Sequence, residues 1–123
     1  MKYLSLILKI VLALPLLIFG LNKLMPAPFI QMPPPAGAEA QLYMQALFGT
    51  YLAKAVGLVE LIAALLLFVK KWENIALVIL FPISLNILLY HLFHDIAGTL
   101  PGAVIFILNT YFLVKNDVFK KLT

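Results

Sequence analysis

Glu60 is the first candidate for chemistry in this sequence, because it is an ionisable residue near the middle of an apolar segment. Ionisable groups inside membrane-spanning helices are costly and commonly functional. Ala53, Gly57 and Ala64 fall on the same helical face as Glu60, and a stripe of small residues favours close helix packing. We therefore expect Glu60 to point into the interior. It would act either as a ligand-binding or proton-handling carboxylate or as a structural group bonded to a neighbouring helix.

A second polar group lies near the end of the next apolar segment. At helical spacing, one arc holds Ser84, His91, His94 and Asp95, with Asn86 and Tyr90 at its margin and leucines opposite. The run His91-x-x-His94-Asp95 places three potential ligands within one turn, and imidazole and carboxylate ligands suit zinc or iron. A tight site would need further ligands from other helices. We therefore favour helix capping or headgroup contact for these residues and predict no metal.

Three more polar residues lie within or at the ends of apolar segments. Asn22 and Lys23 end the first segment, and Asn109 lies near the middle of the last. The Lys23 side chain could extend to the membrane surface. Alternatively, it pairs with Glu60 or Asp95, because a buried charge is tolerated only with a partner. Asn109 is expected to form a hydrogen bond to another helix, which is more often a structural role than a catalytic one.

The composition explains why these few residues stand out. Of the 123 residues, 64% are apolar or aromatic and only 11% are charged, against about 45–50% and about 25% in soluble domains. This excludes a freely soluble enzyme. The net charge of +4 comes from scattered lysines with no arginine, which does not favour nucleic acid as a partner. The absence of cysteine excludes thiolate metal sites and thiol redox chemistry.

The apolar segments predict one all-α membrane domain over residues 1–123, a bundle of four spanning helices. A bilayer core of about 30 Å needs about 20 apolar residues per helix. Four segments approach that length: residues 4–24, 51–69, 74–93 and 97–114. The long connection between the first two begins with a proline-rich stretch, for which we expect extended chain, and ends in a short interfacial helix, Ala38–Phe48.

The lysines predict the orientation in the membrane. Positive residues in short loops favour the cytoplasmic side. Six lysines fall on the side that would hold both termini and the loop between the second and third spans: Lys2, Lys70, Lys71, Lys115, Lys120 and Lys121. We therefore expect both termini in the cytoplasm.

The order and spacing of several short motifs resemble the DoxX family of small bacterial membrane proteins, and particularly the short DoxX-like proteins common in Bacteroidota. The motifs are Phe19-Gly20-Leu21-Asn22-Lys23-Leu24, Gly57-Leu58-Val59-Glu60, Pro82-Ile83-Ser84-Leu85-Asn86-Ile87, His91-Leu92-Phe93 with Asp95, and Leu108-Asn109. Together with the proline-rich loop they cover nearly the whole chain. Glu60, Asn22 and Lys23 match the family pattern, without an assigned role.

The resemblance implies a multi-pass protein of the bacterial cytoplasmic membrane, in a family linked to thiosulfate:quinone oxidoreductase and other membrane redox complexes. It favours binding of a small hydrophobic ligand, such as a quinone or lipid, or a role as an accessory subunit beside other membrane subunits or further copies of itself. Two alternatives remain open. One is a quinone-linked oxidoreductase subunit in which Glu60 and His91 transfer protons, and the other is an oligomeric transporter of a small solute.

Overall fold

The computed structural model describes residues 3–25 and 37–122, and these residues are helical, with no strand among them. The helices are α1 (Leu4–Leu24), α2 (Ala38–Phe48), α3 (Leu52–Leu66), α4 (Glu73–His94), α5 (Thr99–Lys115) and α6 (Val118–Leu122), with a 3₁₀ turn at Ile96–Gly98. The all-α prediction is therefore confirmed. The proline-rich stretch predicted to be extended lies outside the described residues.

Two helices in the described part of the chain are long and apolar enough to cross a membrane alone, α1 with 21 residues and α4 with 22. A third candidate span is the pair α2 and α3, which bends by 71° between the two helices. Helix α5 is apolar but has only 17 residues, about 25 Å, against a hydrocarbon core of about 30 Å.

The helix ends differ from the predicted spans for local reasons. The second span was predicted to reach residue 69, but α3 ends at Leu66 because the chain tightens into i to i+3 hydrogen bonds, from the Phe68 N–H to Leu65 and from the Val69 N–H to Leu66. The fourth was predicted to begin at residue 97, but the 3₁₀ turn delays α5 to Thr99.

The helices pack in a closed order in which α1 contacts α3 and α5, and α4 contacts the same two helices. The core between them is aliphatic with one large aromatic ring, Phe112. Helix α2 lies against α3 and α4. The Thr50 hydroxyl accepts a hydrogen bond from the Leu52 N–H at 3.3 Å, which is a local turn contact at the bend before α3.

One end of the molecule collects the start of α1, the turn before α4 and the end of α5. Lys9 forms an ion pair with Glu73 at 2.8 Å. The Lys115 ammonium donates to the Ser5 hydroxyl at 2.8 Å. Asn116 donates to the Asn74 side chain at 2.9 Å. Neighbouring helices in the packing order therefore run antiparallel, and this end carries most of the lysines. We call it the basic end.

Candidate functional site

The polar cluster begins where α1 and α3 approach most closely. A Cβ atom added to Gly57 would lie 2.7 Å from the Gly20 carbonyl oxygen, and one added to Gly20 would lie 2.9 Å from the Gly57 carbonyl oxygen. Real Cβ atoms do not come so near to other atoms, so only glycine fits at both positions. Ala53, Gly57, Glu60 and Ala64 are all buried, as predicted for the small-residue face of α3.

Glu60 and Lys23 form an ion pair beside this crossing. The Lys23 ammonium lies 2.5 Å from a Glu60 carboxylate oxygen, and the two side chains are 14% and 1% exposed. Lys23 was predicted to pair with Glu60 or Asp95, and in the structure it pairs with Glu60. Helical side chains lean toward the amino end of their helix, so Lys23 at the end of α1 extends inward and not toward the near surface. Asn22, next to Lys23, is buried.

A separate polar contact joins α4 to α5. The Ser84 hydroxyl donates to the Asn109 side-chain oxygen at 2.7 Å, and the Asn109 amide donates to the Leu77 carbonyl at 3.0 Å. Ser84 and Asn109 are fully buried. Pro82 lies in the same stretch of α4 and has no N–H for the Val78 carbonyl. Asn109 therefore bonds to the neighbouring helix, as predicted, and the Leu77 carbonyl that it reaches is next to the Val78 carbonyl that Pro82 leaves without a helical donor.

An open depression of ≈ 260 Å³ lies between α2 and the last turns of α4. Its lining combines aromatic, polar and acidic side chains: Glu39, Tyr43, Asn86, Leu89, Tyr90, Phe93 and His94. The Tyr43 and Tyr90 rings stack with centroids 4.8 Å apart, and the Asn86 amide donates to the Tyr43 hydroxyl at 2.5 Å. The His94 ring lies 5.6 Å from the Tyr90 ring. These contacts hold α2 against α4 and leave polar groups facing an open space.

His91 lies in different surroundings from His94. Its ring packs against Gly98 and Gly102, where an added Cβ would lie 2.9 Å and 3.2 Å from ring atoms. Its Nδ1 atom lies 3.2 Å from a carboxylate oxygen of Asp95, which is about half exposed. The two glycines therefore make room for the imidazole between α4 and the start of α5. No group of three or more potential metal ligands comes together among residues 3–25 and 37–122.

The structure does not bring Glu60, Asn86 and His91 into one ligand cavity. Asn86 lines the depression and is exposed, whereas Glu60 is enclosed by the α1–α3 crossing and His91 by the glycines at the start of α5. Pro15 and Pro82 lie within continuous helices.

The residues that sequence reasoning missed are Glu39, Tyr43 and Phe93. The sequence did offer one signal for Tyr43: tyrosine combines an aromatic ring with a hydrogen-bonding hydroxyl and is typical of the membrane interface.

The comparisons with known proteins leave the site without a template. Neither protein-family models, nor curated proteins, nor solved structures give a match to this chain.

Proposed function

We propose that this protein is a four-span integral membrane protein of the DoxX type that binds a small amphiphile with a planar ring headgroup, such as a quinone, in the depression between α2 and α4. The observation that carries the proposal is the Tyr43–Tyr90 stack, which borders an open space together with Asn86 and His94.

The size of the depression favours a headgroup. Sites for whole drug-sized ligands usually measure about 300–1,000 Å³. A space of ≈ 260 Å³ is smaller and open, which suits one ring whose tail remains in the lipid. Quinones of respiratory membranes have this shape, with a flat polar ring on a long apolar chain.

The chemistry of the lining also suits a quinone ring. Aromatic rings prefer offset stacking, and the Tyr43–Tyr90 pair can extend its stack to a third flat ring. The Asn86 amide and the His94 imidazole can donate hydrogen bonds to carbonyl oxygens. Leu89 and Phe93 supply the apolar part of the wall.

The position in the fold fits a ligand that arrives through the membrane. The depression lies at the end of α4 opposite the basic end, and α2 is largely exposed there, including its leucine and phenylalanine side chains Leu42 and Phe48. With both termini in the cytoplasm of a bacterium, this places the headgroup at the outer surface of the cytoplasmic membrane. A protein that holds a quinone there would serve as an accessory subunit of a membrane redox complex.

The test is equilibrium binding of a short-tailed benzoquinone to the purified protein in nanodiscs. Wild type should bind it saturably. Asn86→Leu removes one hydrogen bond and Tyr43→Ala removes the stacking partner, and each should weaken binding about three- to tenfold. A photoreactive quinone should label peptides from α2 and α4.

Tyr51→Ala is the matched control, because Tyr51 is an exposed tyrosine outside the depression. It should bind as wild type does. Equal weakening by Tyr43→Ala and Tyr51→Ala, or the absence of saturable binding, would overturn the proposal.

A further inference from the structure

The seam between α1 and α5 at the basic end presents an ammonium and a hydroxyl side by side. The Lys115 ammonium lies 2.8 Å from the Ser5 hydroxyl oxygen and 5.8 Å from the centre of the Phe112 ring. Lys115 is exposed, and its ammonium has two N–H donors besides the one given to Ser5. The contacts with Ser5 and Phe112 hold a positive charge in one place on the seam.

The surrounding charge at this end is strongly positive. Its exposed lysines are Lys70, Lys71, Lys115, Lys120 and Lys121. Two carboxylates of the described chain lie nearby, Glu73 and Asp117. Glu73 is paired with Lys9 at 2.8 Å, so Asp117 alone of these two is available to offset the charge of the exposed lysines. The Lys71 ammonium lies 5.6 Å from the Trp72 ring, which is 42% exposed, as expected of an aromatic anchor at the headgroup level.

Exposed apolar side chains flank Ser5 and Lys115 along the two helices. Leu4, next to Ser5 on α1, is about half exposed, as are Val114 and, one turn inward, Tyr111 on α5. Such a surface accommodates acyl chains below a charged headgroup, whereas a free anion would gain nothing from it.

From this arrangement we propose that the Ser5–Lys115 seam binds the phosphodiester of an anionic glycerophospholipid, such as phosphatidylglycerol. The Lys115 ammonium and the Ser5 hydroxyl donate to its non-bridging oxygens, and the surrounding lysines favour a net negative headgroup over a zwitterionic one. This site is at the opposite end from the depression and does not depend on a quinone. It rests only on the membrane location of the protein.

The test is native mass spectrometry of the purified protein in detergent with equal amounts of phosphatidylglycerol and phosphatidylcholine. Wild type should retain more phosphatidylglycerol, and Lys115→Gln should lower that preference about fivefold, as expected for one lysine near a membrane surface. Ser5→Ala should lower it less and serves as a second variant that keeps every charge. Lys54→Gln is the matched control, since Lys54 is an exposed lysine at the start of α3, away from the basic end.

Three results would overturn the proposal. The first is an equal retention of the two lipids by wild type. The second is a preference for phosphatidylglycerol in the Lys115→Gln or Ser5→Ala variant that equals the preference in the Lys54→Gln control. The third is displacement of phosphatidylglycerol by inorganic phosphate beyond that caused by chloride at the same ionic strength, because this would identify a site for a free anion.

Discussion

Gly20 and Gly57 hold α1 and α3 in backbone contact, and a Cβ atom at Gly57 would lie 2.7 Å from the Gly20 carbonyl oxygen and 2.8 Å from the Lys23 Cβ. The crossing positions Lys23 and Glu60, each three residues after one of these glycines. Helix association in lipid relies on such close packing, since burial of apolar surface gives little driving force there. The glycines are therefore structural prerequisites of the ion pair.

Gly57→Ala should destabilise the protein by about 1–3 kcal/mol, because the added methyl group meets backbone and Cβ atoms that cannot move independently. The measurement is reversible SDS-induced unfolding in mixed micelles. Ala55→Ser adds one heavy atom at an exposed position of the same helix and should change stability little. Equal effects of the two substitutions would contradict the close crossing.

The Lys23–Glu60 pair should behave as a coupled unit. Lys23→Met leaves the buried Glu60 carboxylate without its partner, and loss of one member of a buried pair costs about 3–5 kcal/mol. Lys23→Met combined with Glu60→Met should recover much of that stability, because no unpaired charge remains. The same SDS unfolding assay measures both, with exposed Lys54→Met as the control. Additive effects of the two single substitutions would rule out the coupling.

Asn109→Leu should lower stability by about 0.6 to about 1.7 kcal/mol, the average and the largest value for a hydrogen bond between membrane helices. The substitution removes the donor to Leu77 and the acceptor for Ser84. Asn116→Leu removes a comparable contact with Asn74 at the partly exposed basic end, where water can replace it. Asn116→Leu should therefore cost less, and the reverse order would argue against the buried contact.

The short helices predict a preference for thin membranes. Helices α3 and α5 have 15 and 17 residues, about 22 and about 25 Å, whereas α1 and α4 exceed about 30 Å. Mismatch between helix and bilayer costs fractions of a kcal/mol per Å. Thermal unfolding in phosphatidylcholine nanodiscs should give a higher midpoint with short acyl chains than with long ones. A midpoint that rises steadily with chain length would contradict this expectation.

The features that depend on local pattern could be predicted from the sequence. The bounds of α1 and α2 match the predicted segments, because long apolar periodicity and a flanking glycine mark them directly. The burial of Glu60 followed from its small-residue face. Glu60 was also one of only two acidic partners considered for Lys23.

The depression could not be predicted, because it depends on how α2 lies across α4. Tyr43 and Tyr90 are far apart in the sequence, and no periodic pattern relates an interfacial helix to the end of a later one. Asn86 was predicted to lie at the margin of the polar arc of α4. It faces α2, because the contact of α2 with α4 decides which margin of α4 is covered.

The separation of Lys23 and Glu60 along the chain has a consequence during biosynthesis. The two residues are 37 positions apart, so at about 5–20 residues per second Lys23 leaves the ribosome about 2–7 s before its counter-ion. Throughout that interval α1 carries an uncompensated cation near its carboxyl end. The salt bridge therefore forms only after α3 is made, and α1 must remain accessible to α3 until then.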